Sequence, residues 1–124
     1  MAVIIKKIKL QGSKSEIEKE AIFDSDSTYS YIHPDLANKL ATMVHLPEPI
    51  EFRIAEGERN VTAKDVVILD FYMDNYRFSD EFMVIEGIDK EVIIGEKTLR
   101  KWRLKLDFNN NEIIIDPRVT KLRI

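Results

Sequence analysis

Ala21-Ile22-Phe23-Asp24-Ser25-Asp26-Ser27-Thr28-Tyr29-Ser30-Tyr31-Ile32 runs three apolar residues into an acid, then hydroxyls and a second acid, before aromatics resume ahead of His33-Pro34. A strand that breaks off in carboxylates and hydroxyls sets polar groups where the chain leaves a sheet, which is a common place for a site. The residues on either side therefore need to be read for a sheet that could carry this loop.

Upstream, Val3, Ile4, Ile5, Ile8 and Leu10 read as a first strand, and the polar Gln11-Gly12-Ser13-Lys14-Ser15 connects it to a second over 17–23. Helix propensity in Glu16 to Glu20 argues against that second strand, but the short connection and the continuous Ala-Ile-Phe run favour a hairpin. Downstream, Pro34 suits a first helical position and Asp35 the N-terminal dipole. Leu36, Ala37, Leu40, Ala41 and Val44 then recur at helical spacing, which predicts a helix over 34–43. Leu46-Pro47-Glu48-Pro49 is expected to stop it.

From Ile50 the pattern is strand after strand, over 50–55, 61–72, 76–85, 92–94, 104–108 and 113–115, with a short helix over 96–102. The breaks at Glu56-Gly57-Glu58, Met73-Asp74-Asn75 and Asn109-Asn110-Asn111 are rich in residues that tolerate positive φ. Trp102, Phe108, Phe78 and Phe82 are expected in the core. The expected fold is mainly β, with one or two short helices in a single domain spanning 1–124 and no internal repeat.

Composition narrows the function classes. At 124 residues, with 44% apolar and 33% charged residues, the chain suits one buried core. A net charge of −3 with Lys and Glu interleaved leaves no basic face for nucleic acid, and no apolar run is long enough for a membrane span. The absence of cysteine excludes disulfides, thiolate catalysis and cysteine-based zinc sites, and His33 and His45 have no partner ligands at metal spacing. No apolar leader follows Met1, so a cytoplasmic location is expected. The Ile, Lys and Glu content would suit a thermophile.

Three stretches together resemble the retropepsin-like aspartic proteases, the family of retroviral proteases and their cellular relatives. Ala21-Ile22-Phe23-Asp24-Ser25 with Ser27 resembles the family's apolar-apolar-Asp-Thr/Ser-Gly-Ala/Ser motif, followed by Tyr31-Ile32-His33-Pro34. Ile54-Ala55-Glu56-Gly57 resembles the turn of the flap hairpin, and Val92-Ile93-Ile94-Gly95 with Leu99 resembles the later apolar-apolar-Gly turn before a short helix. The resemblance implies a closed β-barrel of the acid-protease type, acting as a homodimer on a polypeptide substrate or peptide ligand without a cofactor.

In that family each subunit supplies one aspartate, here Asp24. Two carboxylates a few ångströms apart do not both ionise easily, so they share a proton and divide the roles of general base and general acid. Ser25 matches the hydroxyl that braces the two acidic loops across the axis, with Ser27 as further loop support. Residues Ala55, Glu56, Gly57 and Glu58 match the flap over the substrate. The apolar-basic chain ends, Val3 to Ile8 and Val119 to Ile124, match segments that interleave between subunits.

The chain departs from the motif at Asp26, which replaces the family's Gly, and at Glu96-Lys97, which replace an Arg/Met and an Asp/Asn. Asp26 either turns to solvent or adds a carboxylate beside the dimer axis, and both orientations are open from the sequence. A non-catalytic dimer of the same fold, binding peptides or serving a structural role, is the alternative function. A hard-cation site built from Asp24 and Asp26 of two subunits is a third.

Overall fold

In β1 (Ile4–Gln11) the buried positions Ile4, Ile8 and Leu10 fall on one face. β2 (Glu16–Phe23) returns antiparallel to it with Ile4 opposite Phe23 and Leu10 opposite Ile17. The helix-favouring Glu16-Ile17-Glu18-Lys19-Glu20 stretch is thus strand. Its acids meet the lysines of β1, with Lys7 3.6 Å from Glu18 and Lys9 3.3 Å from Glu16, a charge match available only in the sheet. The structure, a computed structural model, describes residues 2–54 and 59–124. The flap reading at Ala55, Glu56, Gly57 and Glu58 lies outside the described residues.

The remaining elements follow in order: β3 (Tyr31–Ile32), α1 (Pro34–Leu40), β4 (Val44–Ile54), β5 (Arg59–Met73), β6 (Tyr76–Val84), β7 (Val92–Ile94), α2 (Glu96–Lys101), β8 (Lys105–Asp107) and β9 (Glu112–Ile114), then a 3-10 turn at Pro117–Thr120. Seven strands form one sheet in the order β1-β2-β7-β3-β6-β5-β4. A further β1–β5 pairing closes six of them into a barrel, leaving β4 as the outer strand of the β4–β5 hairpin. The barrel is filled by Phe23, Phe71, Phe78, Phe82 and Trp102, with Phe71 and Phe78 stacked at 5.2 Å. A second apolar cluster of Ala63, Val66, Met83 and Ile85 underlies the β4–β5 hairpin. β8 and β9 form a separate two-stranded sheet.

Helix α1 begins as expected, with Pro34 in its first turn and the His33 ring nitrogen accepting the Asp35 amide at 3.1 Å. It ends at Leu40, ahead of the prolines. The β1–β2 turn takes up its last carbonyls: the Lys14 amide donates to Leu40 O at 2.9 Å, the Ser15 hydroxyl to Lys39 O at 2.8 Å, and the Lys14 ammonium to Asn38 O at 3.1 Å. Gly12 permits this docking, since a Cβ there would lie 2.3 Å from Leu40 O.

Pro47 and Pro49 therefore stop no helix. They sit within β4, between the His45 and Ile50 pairings where the register to β5 breaks, and a missing N–H on an outer strand forfeits no ladder bond. The β5–β6 hairpin turns through Asp74 (φ 49°) and Asn75 (φ 69°), the conformation that the Asp-Asn pair favours. Phe108 is a further correction. It follows β8 in the small separate sheet and is 49% exposed, whereas Trp102, Phe78 and Phe82 are buried. No helix among the described residues is long and apolar enough to cross a membrane.

Candidate active site

β7 is the strand that places the acid loop. β2 lies parallel on one side of it, with Phe23 opposite Ile94, and β3 antiparallel on the other, with Tyr31 opposite Ile93. The chain must therefore cross β7 between Phe23 and Tyr31, which puts residues 24–30 over the point where β7 gives way to α2. The Asp24 amide donates to Ile94 O at 2.9 Å, and beyond Gly95 the amides of Glu96 and Lys97 donate to the carbonyls of Ser27 (2.6 Å) and Thr28 (3.0 Å). The first turn of α2 thus finds its acceptors in the acid loop.

Within the loop the Asp24 carboxylate accepts the Asp26 amide at 2.9 Å on one oxygen and the Ser27 hydroxyl at 3.4 Å on the other. Such donors fix the carboxylate's plane relative to the backbone. Asp24, Asp26, Ser27 and Thr28 line one side of a cleft of about 550 Å³, and Phe52, Ile54 and Val61 of the β4–β5 hairpin line the other. Tyr31, Ile85, Ile88 and Ile93 add apolar surface, while Glu51, Arg53, Asp89 and Lys90 bring charge to the same cleft.

The expected site residues separate into two groups. Asp24, Asp26 and Ser27 share the cleft, whereas Ser25 is exposed and opens onto a neighbouring groove with Leu99, Arg103, Leu104, Leu106 and Phe108. Ile94 and Gly95 serve through their backbone. Glu96 pairs along its own helix with Arg100 at 3.2 Å, while the Lys97 ammonium lies 4.3 Å over the Tyr29 ring and donates to its hydroxyl at 3.2 Å. Loop support at these two positions thus comes from main-chain amides and a cation–π contact. Among the described residues no three histidines or carboxylates converge in the manner of a metal site.

Tyr29 and Tyr31 share a face, each meeting Phe52 edge-on, at 5.5 and 5.3 Å. Burial pushes the Tyr31 phenol above its ordinary pKa of 10.0, and the Tyr29 amide donating to its oxygen only partly offsets this. The folded chain therefore holds the neutral phenol more firmly than the unfolded chain does. Stability from this group is intact below pH ~10 and is lost as pH climbs through the folded value. Tyr31→Phe is expected to make denaturant midpoints fall less steeply above pH ~10. Equal slopes in the two proteins would refute that assignment.

Sequence reasoning missed Ser30, Thr98 and Asp80. Ser30 and Thr98 are each 1% exposed, and their hydroxyls lie 2.6 Å apart. A signal was present: if Tyr29 and Tyr31 share the cleft face, Ser30 points to the opposite, inner face.

An aspartate at the end of a barrel strand, cradled by its own loop and braced by an apolar-apolar-Gly turn, defines an aspartic protease-like domain of the retropepsin type. The sequence profile of the Ty3 transposon peptidase family matches residues 2–113, and the chain belongs to that family. Among solved structures it is similar to the retroviral protease-like domain of Ddi1 from Leishmania major. The TM-score is 0.66 at 16% identity, over 94% of this chain and 90% of that one, so the two share the fold.

Proposed function

We propose that the protein is a homodimeric aspartic endopeptidase in which the Asp24 carboxylates of two chains share a proton and activate water against a peptide bond. The observation that carries this reading is the Asp24 carboxylate, oriented by the Asp26 amide and Ser27 hydroxyl on a loop fastened to Ile94, at the wall of a cleft with apolar lining. One carboxylate per chain cannot supply both acid and base, so the reaction requires the dimer. Exposure of Ser25 leaves its hydroxyl accessible to a second subunit.

A second reading is favoured by Asp26, an exposed acid that lines the cleft where the family motif has no side chain. With four acids near a two-fold axis, repulsion opposes closure, and the fold then serves peptide binding without hydrolysis. Solution mass together with cleavage of a denatured protein mixture from pH 3 to 7 separates the two readings. Asp26→Gly is expected to raise cleavage by roughly tenfold or to tighten the dimer by a similar factor, corresponding to about 1.4 kcal/mol. A dimer that cleaves nothing, with or without Asp26→Gly, would support the binding module.

A further inference from the structure

We propose that Ser30, Thr98 and Asp80 form a one-way hydrogen-bond relay that positions the Asp24 loop for peptide hydrolysis, with Thr98 as its central positioning residue; this rests on the peptidase reading given above. The three residues come from the acid loop, α2 and β6. The Gly95 amide donates to Ser30 Oγ at 3.0 Å, Ser30 Oγ lies 2.6 Å from Thr98 Oγ1, and Thr98 Oγ1 donates to Asp80 Oδ2 at 2.7 Å. The other Asp80 oxygen accepts the Glu81 amide at 2.8 Å and lies 3.6 Å from the Lys101 ammonium.

The direction of the relay follows from donor counting. A carboxylate only accepts, so the single Thr98 proton is committed to Asp80. Ser30 must then give its own proton to Thr98, which leaves its lone pairs for the Gly95 amide. Gly95–H, Ser30–H and Thr98–H thus all point toward Asp80, and aligned bonds of this kind strengthen one another.

The head of the relay sits where the active loop is tied down. Gly95 lies between Ile94, whose carbonyl holds the Asp24 amide, and Glu96, whose amide holds the Ser27 carbonyl. A shift at Thr98 therefore reaches the carboxylate through two main-chain hydrogen bonds. Packing alone would be served by valine, which has the shape of threonine without the hydroxyl, so chemistry rather than volume is what this position supplies.

The test compares Thr98→Val, Thr98→Ser and Ser30→Ala in the full chain by kcat and KM on a peptide that the wild type cleaves. Amide hydrogen exchange at Gly95 and Asp24 is measured in parallel. Thr98→Val is expected to lower kcat about tenfold with KM within about twofold, because misplacement of a reacting group acts on the chemical step. Exchange at both amides rises by a similar factor, and Thr98→Ser restores both readings. The Ser30→Ala/Thr98→Val pair is expected to be no worse than either single change, since both break one unit.

Wild-type kcat and exchange in Thr98→Val would overturn the relay, as would strictly additive losses in the double variant. If Thr98→Val does not fold, Ser30→Ala is read by the same two measurements. If the wild-type chain cleaves nothing, the peptidase reading fails while exchange at Gly95 and Asp24 still decides whether the relay holds the loop.

Discussion

Asp24→Asn is expected to leave the fold, the melting temperature and the solution mass unchanged while lowering peptide cleavage by about 10³-fold or more. The expectation rests on the proposed dyad and on how the carboxylate is held. Asparagine has the same shape, and its carbonyl oxygen can still accept the Asp26 amide now 2.9 Å from Asp24. Ser27 can rotate its hydroxyl to accept from the new amide group. What asparagine cannot do is take a proton from water or share one with its symmetry mate. Removal of one negative charge per chain from a loop that also carries Asp26 relieves repulsion, so any change in the dimer should be toward tighter association. Cleavage that survived the substitution would remove Asp24 from the reaction. Loss of cleavage together with loss of the dimer would instead show a structural role.

The second large effect is expected at Gly95. Its φ of −98° is open to any residue, so the requirement is for space rather than for backbone freedom. A Cβ there would lie 2.1 Å from the carbonyl oxygen of Tyr29, 2.6 Å from its carbon and 2.8 Å from the carbonyl oxygen of Ser27. All three are main-chain atoms, so no side-chain rotation relieves the clash. Gly95→Ala must push the acid loop off the start of α2, stretching the Glu96–Ser27 and Lys97–Thr28 hydrogen bonds. Destabilisation of about 3 kcal/mol or more is expected, at the upper end of overpacking costs. Denaturant unfolding at constant m-value measures it. A cost below about 1 kcal/mol would mean that the loop does not rest on Gly95 as closely as these distances state.

Much of the barrel was legible from alternation and turn chemistry. The parallel core strand at 92–94 stood out as a continuous apolar run, and the β5–β6 turn as an Asp-Asn pair. Aspartate-hydroxyl chemistry after Phe23 marked where the chain leaves the sheet. The end of α1 was not legible, because it is decided by Lys14 and Ser15, residues distant in sequence that reach its carbonyls from the β1–β2 turn. Local pattern ran the helix to Met43 and left Leu46-Pro47-Glu48-Pro49 to stop it, whereas tertiary capping stops it at Leu40.

Phe108 was read inward from its bulk alone, but the hairpin that carries it lies outside the barrel wall. The chain ends were read as segments that interleave between subunits, and within one chain they already have structure of their own. Ile4–Gln11 is already paired with β2 and, at Lys9 to Gln11, with β5, and the final stretch contains a 3-10 turn. Ser30 and Thr98 escaped notice because a hydroxyl in a periodic pattern has no distinguishing mark until its partner across 68 positions is known.

The parallel pairing of Ile22 with Ile93 and of Tyr31 with Met83 has a consequence for how the molecule comes into being. β6 and β7 are made late in synthesis, so a nascent chain that has just emitted Asp24 has the β1–β2 hairpin but lacks Ile94, whose carbonyl holds the Asp24 amide. Closing so long a span costs chain entropy before any contact repays it, which makes such topologies slow to fold. The acid loop therefore takes its folded shape only after β7 and α2 have left the ribosome.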